Sequence, residues 1–325
     1  MQVYRPLVTV IGTALFIVAL SASAQTFPAK AVRIITPFPP GSGPDSVLRI
    51  VGDKLSKIWS QSVIIENRPG ANGFIAIEAG KKAPADGYTL VQMDDAHMSL
   101  QPHLYKNIPY DPVRDFMPVA TLFRTYFFVA VPAASPWKNI TDLVNAAKAK
   151  PNALTYGSWF VGSPGHVGAA QLEAATGTQM VHIPFKEMSQ LYSSVGNNDV
   201  NWAFGTAASA GPMYKAGKVR FIAVAAPKRV AGYESIPTVA EAGGPANFEI
   251  RAWVALFAPI GTPTAIAAKI GEDVAKVLTD PDVKERFAAV GFEPYTITPP
   301  EVKSLMETDL KRYGEVIKRA KISVE

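Results

Sequence analysis

The sequence predicts an α/β fold made of two lobes, and three observations lead to this prediction. The chain has 325 residues, about twice the length of an average domain. Short β-branched segments alternate with segments of helical periodicity, which is typical of a parallel sheet flanked by helices. A strand, a glycine-rich loop and a helix follow one another at 32–59 and again at 154–175. We therefore expect two α/β lobes that are joined by chain crossings and hinged like a clamshell.

The first 24 residues differ from the rest of the chain. Arg5 precedes the apolar segment Pro6 to Leu20, and Ala22-Ser23-Ala24 has the small residues of a cleavage site. We expect a signal peptide that is cleaved after Ala24 and a mature protein that is exported. No later apolar segment approaches the length of a membrane span.

The composition excludes several classes of site. The chain has no cysteine, which rules out disulfides, thiol catalysis and zinc–thiolate centres. Hydrophobic residues make up 48% and charged residues 18%, the proportions of an ordinary globular protein. The formal net charge is +5 without a cluster of Lys and Arg, so we expect no binding to nucleic acid.

The unit from Val32 to Trp59 carries the first candidate loop. Val32 to Thr36 predicts a buried strand, the breakers of 39–44 end it, and a helix is predicted from Asp45. Pro44 suits the first helical position because its missing N–H is not needed there. The unpaired N–H groups and positive dipole end of such a helix favour an anion. The same residues also suit an ordinary strand-to-helix turn, and the sequence alone does not decide between the two.

Two more strands are predicted in this lobe, at Ser62 to Glu66 and Tyr88 to Met93, with a helix at Phe74 to Lys82 between them. The order β-α-β-α-β implies parallel strands with right-handed crossovers. Ligands of such sheets lie beyond the carboxyl ends of the strands. The loops that follow the three strands are therefore expected on one rim.

The chain is predicted to cross into the second lobe between Arg124 and Phe128 and to return near Arg251. These crossings predict that residues 25–126 and 251–325 form lobe 1 and that residues 127–250 form lobe 2. In lobe 2 and beyond it, strands are predicted at Phe127 to Val131, Leu154 to Gly157, Gln179 to Pro184, Val200 to Phe204, Val219 to Ala225 and Ile250 to Ala258. Helices are predicted at Ile140 to Lys148, His166 to Ala175, Ala210 to Ala216, Thr264 to Leu278 and Pro300 to Arg319, and a further helix follows Glu187 and ends at Gly196.

Six sequence blocks, in order and at the family's spacing, resemble one receptor family. The blocks are Arg33-Ile34-Ile35 with Pro37-Phe38-Pro39-Pro40-Gly41, Glu66-Asn67-Arg68-Pro69-Gly70-Ala71, Ala85-Asp86-Gly87-Tyr88-Thr89-Leu90, Pro109-Tyr110-Asp111-Pro112, Pro237-Thr238-Val239-Ala240-Glu241-Ala242-Gly243 and Ala258-Pro259-Ile260-Gly261-Thr262-Pro263. They are similar to the Bug, or TctC-like, extracytoplasmic receptors of tripartite tricarboxylate transporters.

The resemblance implies a type II periplasmic binding protein with the Venus flytrap fold. Such a protein captures a small carboxylate in the cleft between its lobes and delivers it to the small and large membrane subunits of the transporter. The resemblance further implies a periplasmic monomer that is not an enzyme and carries no cofactor or metal.

The resemblance also carries over site residues. For lobe 1 it implies ligand contacts from Phe38, Pro39, Gly41, Ser42, Gly43 and Asp45. For lobe 2 it implies contacts from Ser158, Trp159, Phe160, Ser163, His166, Phe185, Lys186, Gly205 and Thr206. Departures from the family pattern, among them Pro44 in place of a hydroxyl residue, add Asp94, His97 and Arg124 as candidates.

The unusual residues favour an aromatic mono- or dicarboxylate such as terephthalate. Trp159 and Phe160 would suit a flat ligand, although Trp159 serves equally well to pack the lobes together. The planar fork of Arg124 matches a second carboxylate, but an ion pair with an acid of its own lobe is the alternative. Asp94 and Asp95 would repel a dianion if they lined the cleft, unless they turn outward.

Three other interpretations are weaker. Gly41-Ser42-Gly43 with Glu66 imitates a dinucleotide fingerprint, but Ser46 replaces its third glycine, so an oxidoreductase is disfavoured. Ser163 with His166 lacks the first glycine of a nucleophile elbow and is better explained as a helix cap. The spacing of the histidines and aspartates in 94–103 matches no standard metal site. A periplasmic sensor partner remains an open alternative.

Overall fold

The computed structural model describes residues 27–324. The predicted signal peptide, residues 1–24, lies outside the described residues. Within residues 27–324, no helix is both long and apolar enough to cross a membrane.

Eleven strands and ten α-helices make up the described part of the chain. The strands are β1 Val32–Thr36, β2 Val63–Asn67, β3 Thr89–Asp94, β4 Phe116–Tyr126, β5 Phe128–Pro132, β6 Thr155–Ser158, β7 Val181–Pro184, β8 Trp202–Gly205, β9 Val219–Val224, β10 Arg251–Pro259 and β11 Glu293–Pro294. The helices are α1 Gly43–Trp59, α2 Phe74–Lys81, α3 Gln101–Leu104, α4 Ile140–Ala149, α5 Pro164–Thr176, α6 Met188–Gly196, α7 Gly211–Lys215, α8 Thr264–Thr279, α9 Pro281–Ala289 and α10 Pro299–Ala320. A 3-10 turn at Ala71–Gly73 precedes α2, and a π-helix at Ala96–Leu100 precedes α3.

The first sheet has six strands in the order β11-β4-β10-β3-β1-β2. β1 pairs in parallel with β2 and β3, as the β-α-β-α-β pattern predicts. Successive side chains of β3 enter different clusters: Leu90 packs on the α1 side, whereas Val91 and Met93 pack beneath α2 and α10. Both faces are therefore covered, as is typical of a parallel sheet.

The second sheet has five strands in the order β7-β6-β8-β5-β9. β6 lies parallel to β7 and β8, whereas β5 runs antiparallel to β8 and β9. Trp202 and Phe204 of β8 pack in one cluster and Ala203 in another, so this sheet is also covered on both faces.

The chain changes sheets at Phe127, between β4 and β5, within the predicted segment 124–128. The N–H of Phe127 donates to the carbonyl of Ile250 (3.3 Å), and its carbonyl accepts from Ala225 (2.8 Å). The outgoing and returning chains are thus bonded side by side at the crossing. First-sheet strands come from 32–126 and 251–294, and second-sheet strands from 128–224.

The structure corrects several details of the prediction. α1 begins at Gly43 instead of Asp45, and α5 at Pro164 instead of His166. The sequence analysis does not predict β4, the 96–104 segment, α9 or β11. β4 contains Pro118, which lies at a shift in the register with β10, where a missing N–H is tolerated.

A separate apolar cluster joins two helices, α5 and α10, which follow strands of different sheets. Val167 and Ala170 of α5 pack with Leu100 and with Tyr313 and Ile317 of α10. This cluster begins one helical turn from the second glycine loop, so it links that loop to α10.

Candidate ligand-binding site

The loop between β1 and α1 presents a helix N-terminus at the rim of the first sheet. Ser42 is the N-cap residue, and its side chain makes no capping bond. Its Oγ is buried without a hydrogen-bond partner among the described residues. Buried hydroxyls are normally paired, so this unpaired Oγ beside the N–H groups of the first turn suits an acceptor supplied by a ligand.

Asp45 holds this loop in place. Its carboxylate accepts from the N–H of Gly41 (2.8 Å), from Asn67 Nδ2 (2.7 Å) and from both Nε and Nη2 of Arg49 (3.0 Å each). Burial alone would raise the pKa of Asp45, but these hydrogen bonds outweigh it and the pKa is lowered. Asp45, a candidate ligand contact, is therefore engaged in positioning Gly41 and Asn67.

The three predicted loops of the first sheet do meet on one rim. Asn67 Nδ2 donates to the carbonyl of Phe38 (3.0 Å), and the ring of Phe38 lies edge-on to His97 (5.9 Å between centroids). His97 also fills the space beside Gly73, because a Cβ added to Gly73 would lie only 2.3 Å from Nε2 of His97. Pro39, on the same loop, is exposed, and Gly43 packs against Phe292.

The two aspartates after β3 have different surroundings. Asp94 forms an ion pair with His97 and accepts from its N–H (2.9 Å). Burial would raise the pKa of Asp94, but the charge and hydrogen bonds of His97 lower it. Asp95 is only 1% exposed and accepts from the hydroxyl of Tyr313 (2.7 Å). Burial and the charges of Asp94 and Asp309 raise the pKa of Asp95 to about 8, which favours its neutral form.

These surroundings weaken the predicted repulsion of a dianion. The Asp94 carboxylate is engaged by the ring and the N–H of His97, and the exposure of Asp95 is too small for it to line an open cleft. Neither carboxylate thus argues strongly against an anionic ligand at this rim.

The second loop, between β6 and α5, is held by a pair of histidines. Gly162 donates its N–H to His166 Nδ1 (3.0 Å), and the His166 ring stacks on His182 at 3.7 Å between centroids. Ser158 Oγ donates to the carbonyl of Phe160 (2.9 Å) and lies 2.7 Å from His182 Nε2. Because the hydroxyl proton of Ser158 is used for Phe160, His182 is the donor in the second bond.

Burial keeps both rings neutral. It lowers the pKa of His166 to about 3, with a contribution from His182, and that of His182 to about 4. Ser163 is the N-cap of α5 and accepts from the N–H of His166 (3.3 Å). The predicted capping role of Ser163 is confirmed.

Phe160 is the exposed aromatic residue of this loop. Its φ is 97°, a value that strains any residue with a Cβ, and its side chain is 49% exposed. Trp159 instead stacks on Phe127 at the chain crossing, with 5.8 Å between centroids and 11° between planes. Of the two uses foreseen for Trp159, this contact favours packing near the crossing.

The remaining lobe 2 candidates lie at the same end of the second sheet. Phe185 donates its N–H to the carbonyl of Ser158 (2.7 Å), and Lys186 beside it is exposed. Gly205 ends β8, and a Cβ there would lie 2.8 Å from the hydroxyl of Tyr192. Thr206 bonds through its hydroxyl to Ser209 (3.0 Å), so its side chain is engaged locally.

Arg124 is engaged by side chains of β4, of β11 and of the segment that follows β11. Its Nε donates to Glu293 (3.1 Å), and its guanidinium lies over the rings of Tyr126 (5.5 Å) and Tyr295 (4.9 Å). These contacts favour the structural ion pair over a role in holding a second carboxylate.

Several residues of this site were missed from the sequence. Asn67 lies in a quoted motif but was given no role, and His182 and Tyr192 carried no local signal because their partners are distant in sequence. Within residues 27–324, no group of three or more His, Asp or Glu side chains could hold a metal ion. A cavity of about 870 Å³ lies elsewhere, between α5 and α10, and another of about 370 Å³ lies between β4 and α8.

Comparison with known proteins identifies the family. The family described as "Tripartite tricarboxylate transporter family receptor" matches residues 47–322. The chain belongs to this family. It is 30% identical over 309 residues to a protein encoded in the tcbD-tcbE intergenic region of Pseudomonas sp. (strain P51), covering 94% of this chain and 92% of that one. Protein BugT of Bordetella pertussis is 27% identical over 302 residues, covering 93% and 92%.

Solved structures of receptors show the same two-lobed periplasmic binding fold. An R. palustris protein with adipate has a TM-score of 0.80 and 30% identity, covering 92% of this chain and all of that one. MatC from Rhodopseudomonas palustris with bound malate has a TM-score of 0.75 and 26% identity, covering 90% and 100%. The periplasmic binding protein BugD has a TM-score of 0.75 and 26% identity, covering 91% and 99%. The family prediction is confirmed.

Proposed function

We propose that this receptor binds a small carboxylate between its lobes in the periplasm and delivers it to the membrane subunits of a tripartite transporter. Lobe 1 comprises residues 25–126 and 251–325, and lobe 2 comprises residues 127–250. The protein acts as a monomer and does not transform its ligand. The observation that carries the proposal is the buried, unpaired Oγ of Ser42 at the N-terminus of α1.

The chemistry of this point matches a carboxylate. The N–H groups of the first turn of α1 and the hydroxyl of Ser42 are hydrogen-bond donors, and the helix dipole adds positive potential. In lobe 2, α5 likewise points its N-terminus and positive dipole end out of a glycine loop, although there Ser163 and the N–H of Gly162 are engaged by His166. A hydrogen bond to a carboxylate is stronger than one between neutral groups, so donors in this arrangement select an anion.

The finer proposal is an aromatic mono- or dicarboxylate, of which terephthalate is an example. The exposed ring of Phe160 supports a flat ligand, because stacked rings gain contact area at little cost in conformational entropy. Exposed Lys186 is a better candidate than Arg124 for a second carboxylate, since Arg124 is paired with Glu293. Adipate and malate in the related receptors make aliphatic diacids the competing ligands.

A binding screen tests this function. We expect terephthalate and benzoate to change the tryptophan fluorescence at lower concentration than adipate and malate, with 4-aminobenzamidine as a cationic control that gives no change. If only the aliphatic acids bind, the aromatic proposal is wrong and the carboxylate proposal stands. If no acid binds and the cation does, the carboxylate proposal itself fails.

A further inference from the structure

We propose that α5 is a lever that couples the ligand cleft to a groove at the other end of this helix, so that closing the cleft opens the groove. The groove is the cavity of about 870 Å³ between α5 and α10. Its walls include Gln171, Ala174 and Ala175 of α5 and Arg312, Val316 and Arg319 of α10. The inference rests on the proposed ligand-driven closure but assigns a use to a surface that does not touch the ligand.

Gly168 provides the pivot of the lever. A Cβ built there would lie 2.2 Å from Cδ1 of Ile250, so the backbone of α5 rests directly on this side chain. Ile250 is held at the chain crossing, because its N–H donates to Ala225 (3.0 Å) and its carbonyl accepts from Phe127 (3.3 Å). A glycine inside a helix is destabilising relative to alanine, and this close contact explains its presence.

The pivot lies between the two functional ends of the helix. With a rise of 1.5 Å per residue, Ser163 lies about 8 Å from Gly168 on the cleft side and Thr176 about 12 Å away on the groove side. A helix of this length moves as a rigid rod. A rotation about Gly168 that brings Ser163 toward lobe 1 therefore moves the groove-lining residues of α5 away from lobe 1.

The opposite wall of the groove moves with lobe 1. Asp309 of α10 accepts from Trp253 Nε1 (2.9 Å) and from Arg251 Nη2 (3.3 Å), both on β10 of the first sheet. Tyr313, one turn later, donates to Asp95 behind β3 (2.7 Å). These buried bonds fix α10 to the first sheet, so relative movement of the lobes separates α10 from α5.

The contact between the helices can slide. Val167 and Ala170 of α5 pack on Tyr313 and Ile317 of α10 through apolar atoms, and Ala170 also lines the groove. Small shifts of packed helices across such an interface are a common means of domain closure. Small side chains such as Ala174 leave the groove open.

Distances between spin labels test the lever directly, and the absence of cysteine makes specific labelling simple. One pair, Ile75→Cys with Met188→Cys, labels exposed positions next to the carboxyl-end loops of the two sheets. The other pair, Ala174→Cys with Arg319→Cys, labels the two walls of the groove. With terephthalate, or with adipate if it binds more tightly, we expect the first distance to shorten and the second to lengthen. If both distances shorten, or if only the first changes, the lever is wrong.

A groove-filling variant tests the lever without ligand. Ala174→Trp should push the helices apart and shorten the Ile75–Met188 label distance in the ligand-free protein. Its Kd for the same acid should fall about threefold to tenfold, because more of the protein already has the binding conformation. Ala149→Trp, an exposed alanine of α4, is the matched control. If the two variants give the same label distance, the lever is overturned. A failure of all acids to bind would instead refute the proposed function, and the ligand-free distances would still decide the lever.

Discussion

Single residues of the site fall into two groups according to their contacts. Asp45 and His166 have their polar atoms engaged by the loops that they hold, so they act as positioning residues. Ser42 has a buried hydroxyl without a partner in the described chain, and Phe160 has an exposed ring on a strained backbone. Strained or unpaired groups of this kind persist where they serve a function, and the proposed ligand contact would supply one for both residues.

Two substitutions of Phe160 separate the ring from the backbone strain. Both Phe160→Gly and Phe160→Ala remove the ring, but only glycine adopts a φ of 97° without strain. We expect the glycine variant to be the more stable by about 1 kcal/mol in denaturant unfolding. Val181, exposed on β7, is the control position. Of Val181→Gly and Val181→Ala, the alanine variant should be the more stable. The strain argument is contradicted if Phe160→Ala is at least as stable as Phe160→Gly.

At the scale of elements, the unit of β6, its loop and α5 combines a ligand loop with the arm of the proposed lever. Its geometry depends on two stacked neutral histidines, one accepting from Gly162 and the other donating to Ser158. Protonation of either ring would place a charge in a buried stack. The loop should therefore be sensitive to acid.

The histidine stack should lower the stability of the protein as the pH decreases from 6.5 toward 4, whereas Asp95, whose pKa is raised, acts in the opposite direction. The pKa values of His166 and His182 are lowered to about 3 and 4, so below pH 6.5 the unfolded chain binds protons that the folded protein does not. The stabilisation is complete above pH 6.5, and we expect a loss on the order of 1–2 kcal/mol per pH unit below it in urea unfolding.

A double variant isolates this effect. His166→Asn retains an acceptor for Gly162, and His182→Gln retains a donor for Ser158, but neither new side chain titrates. The double variant should lose less stability with acid, whereas His103→Gln, at an exposed position, should behave like the unmodified protein. An acid dependence that is unchanged in the double variant would exclude the histidine stack as its source.

Patterns that are local in sequence predicted much of the fold. The strand, loop and helix at 32–59 follow from hydrophobic periodicity and breakers alone. β4 was missed because Pro118 interrupts its pattern, and the pairing of Arg124 with Glu293 spans too much of the chain to be seen in either segment. The positive φ of Phe160 has no signature in its own residue type. The sequence thus indicated which loops are candidates for the site, but not which of their side chains are engaged by the protein itself.

At the scale of the whole molecule, two sheets are joined at one crossing, where Phe127, Ala225 and Ile250 are bonded. α10 returns to the first sheet yet packs on α5, which follows a strand of the second sheet. The lobes also meet where Gly162 packs on Leu104 and where Gly291 packs on Ala207, so the proposed movement shifts these contacts as well as the one between α5 and α10.

Titration calorimetry of Ser42→Ala tests the central claim, that a carboxylate is bound at the N-terminus of α1. The hydroxyl has no partner within the described protein, so its removal should leave the fold unchanged and delete one bond to the ligand. A hydrogen bond to a charged group contributes about 1.5 kcal/mol, so Kd for terephthalate or adipate should rise about tenfold. Ser62→Ala, at the opposite end of the first sheet, should bind like the unmodified protein. If Ser42→Ala binds the acid as tightly as the unmodified protein, the ligand does not lie at this helix and the account is contradicted.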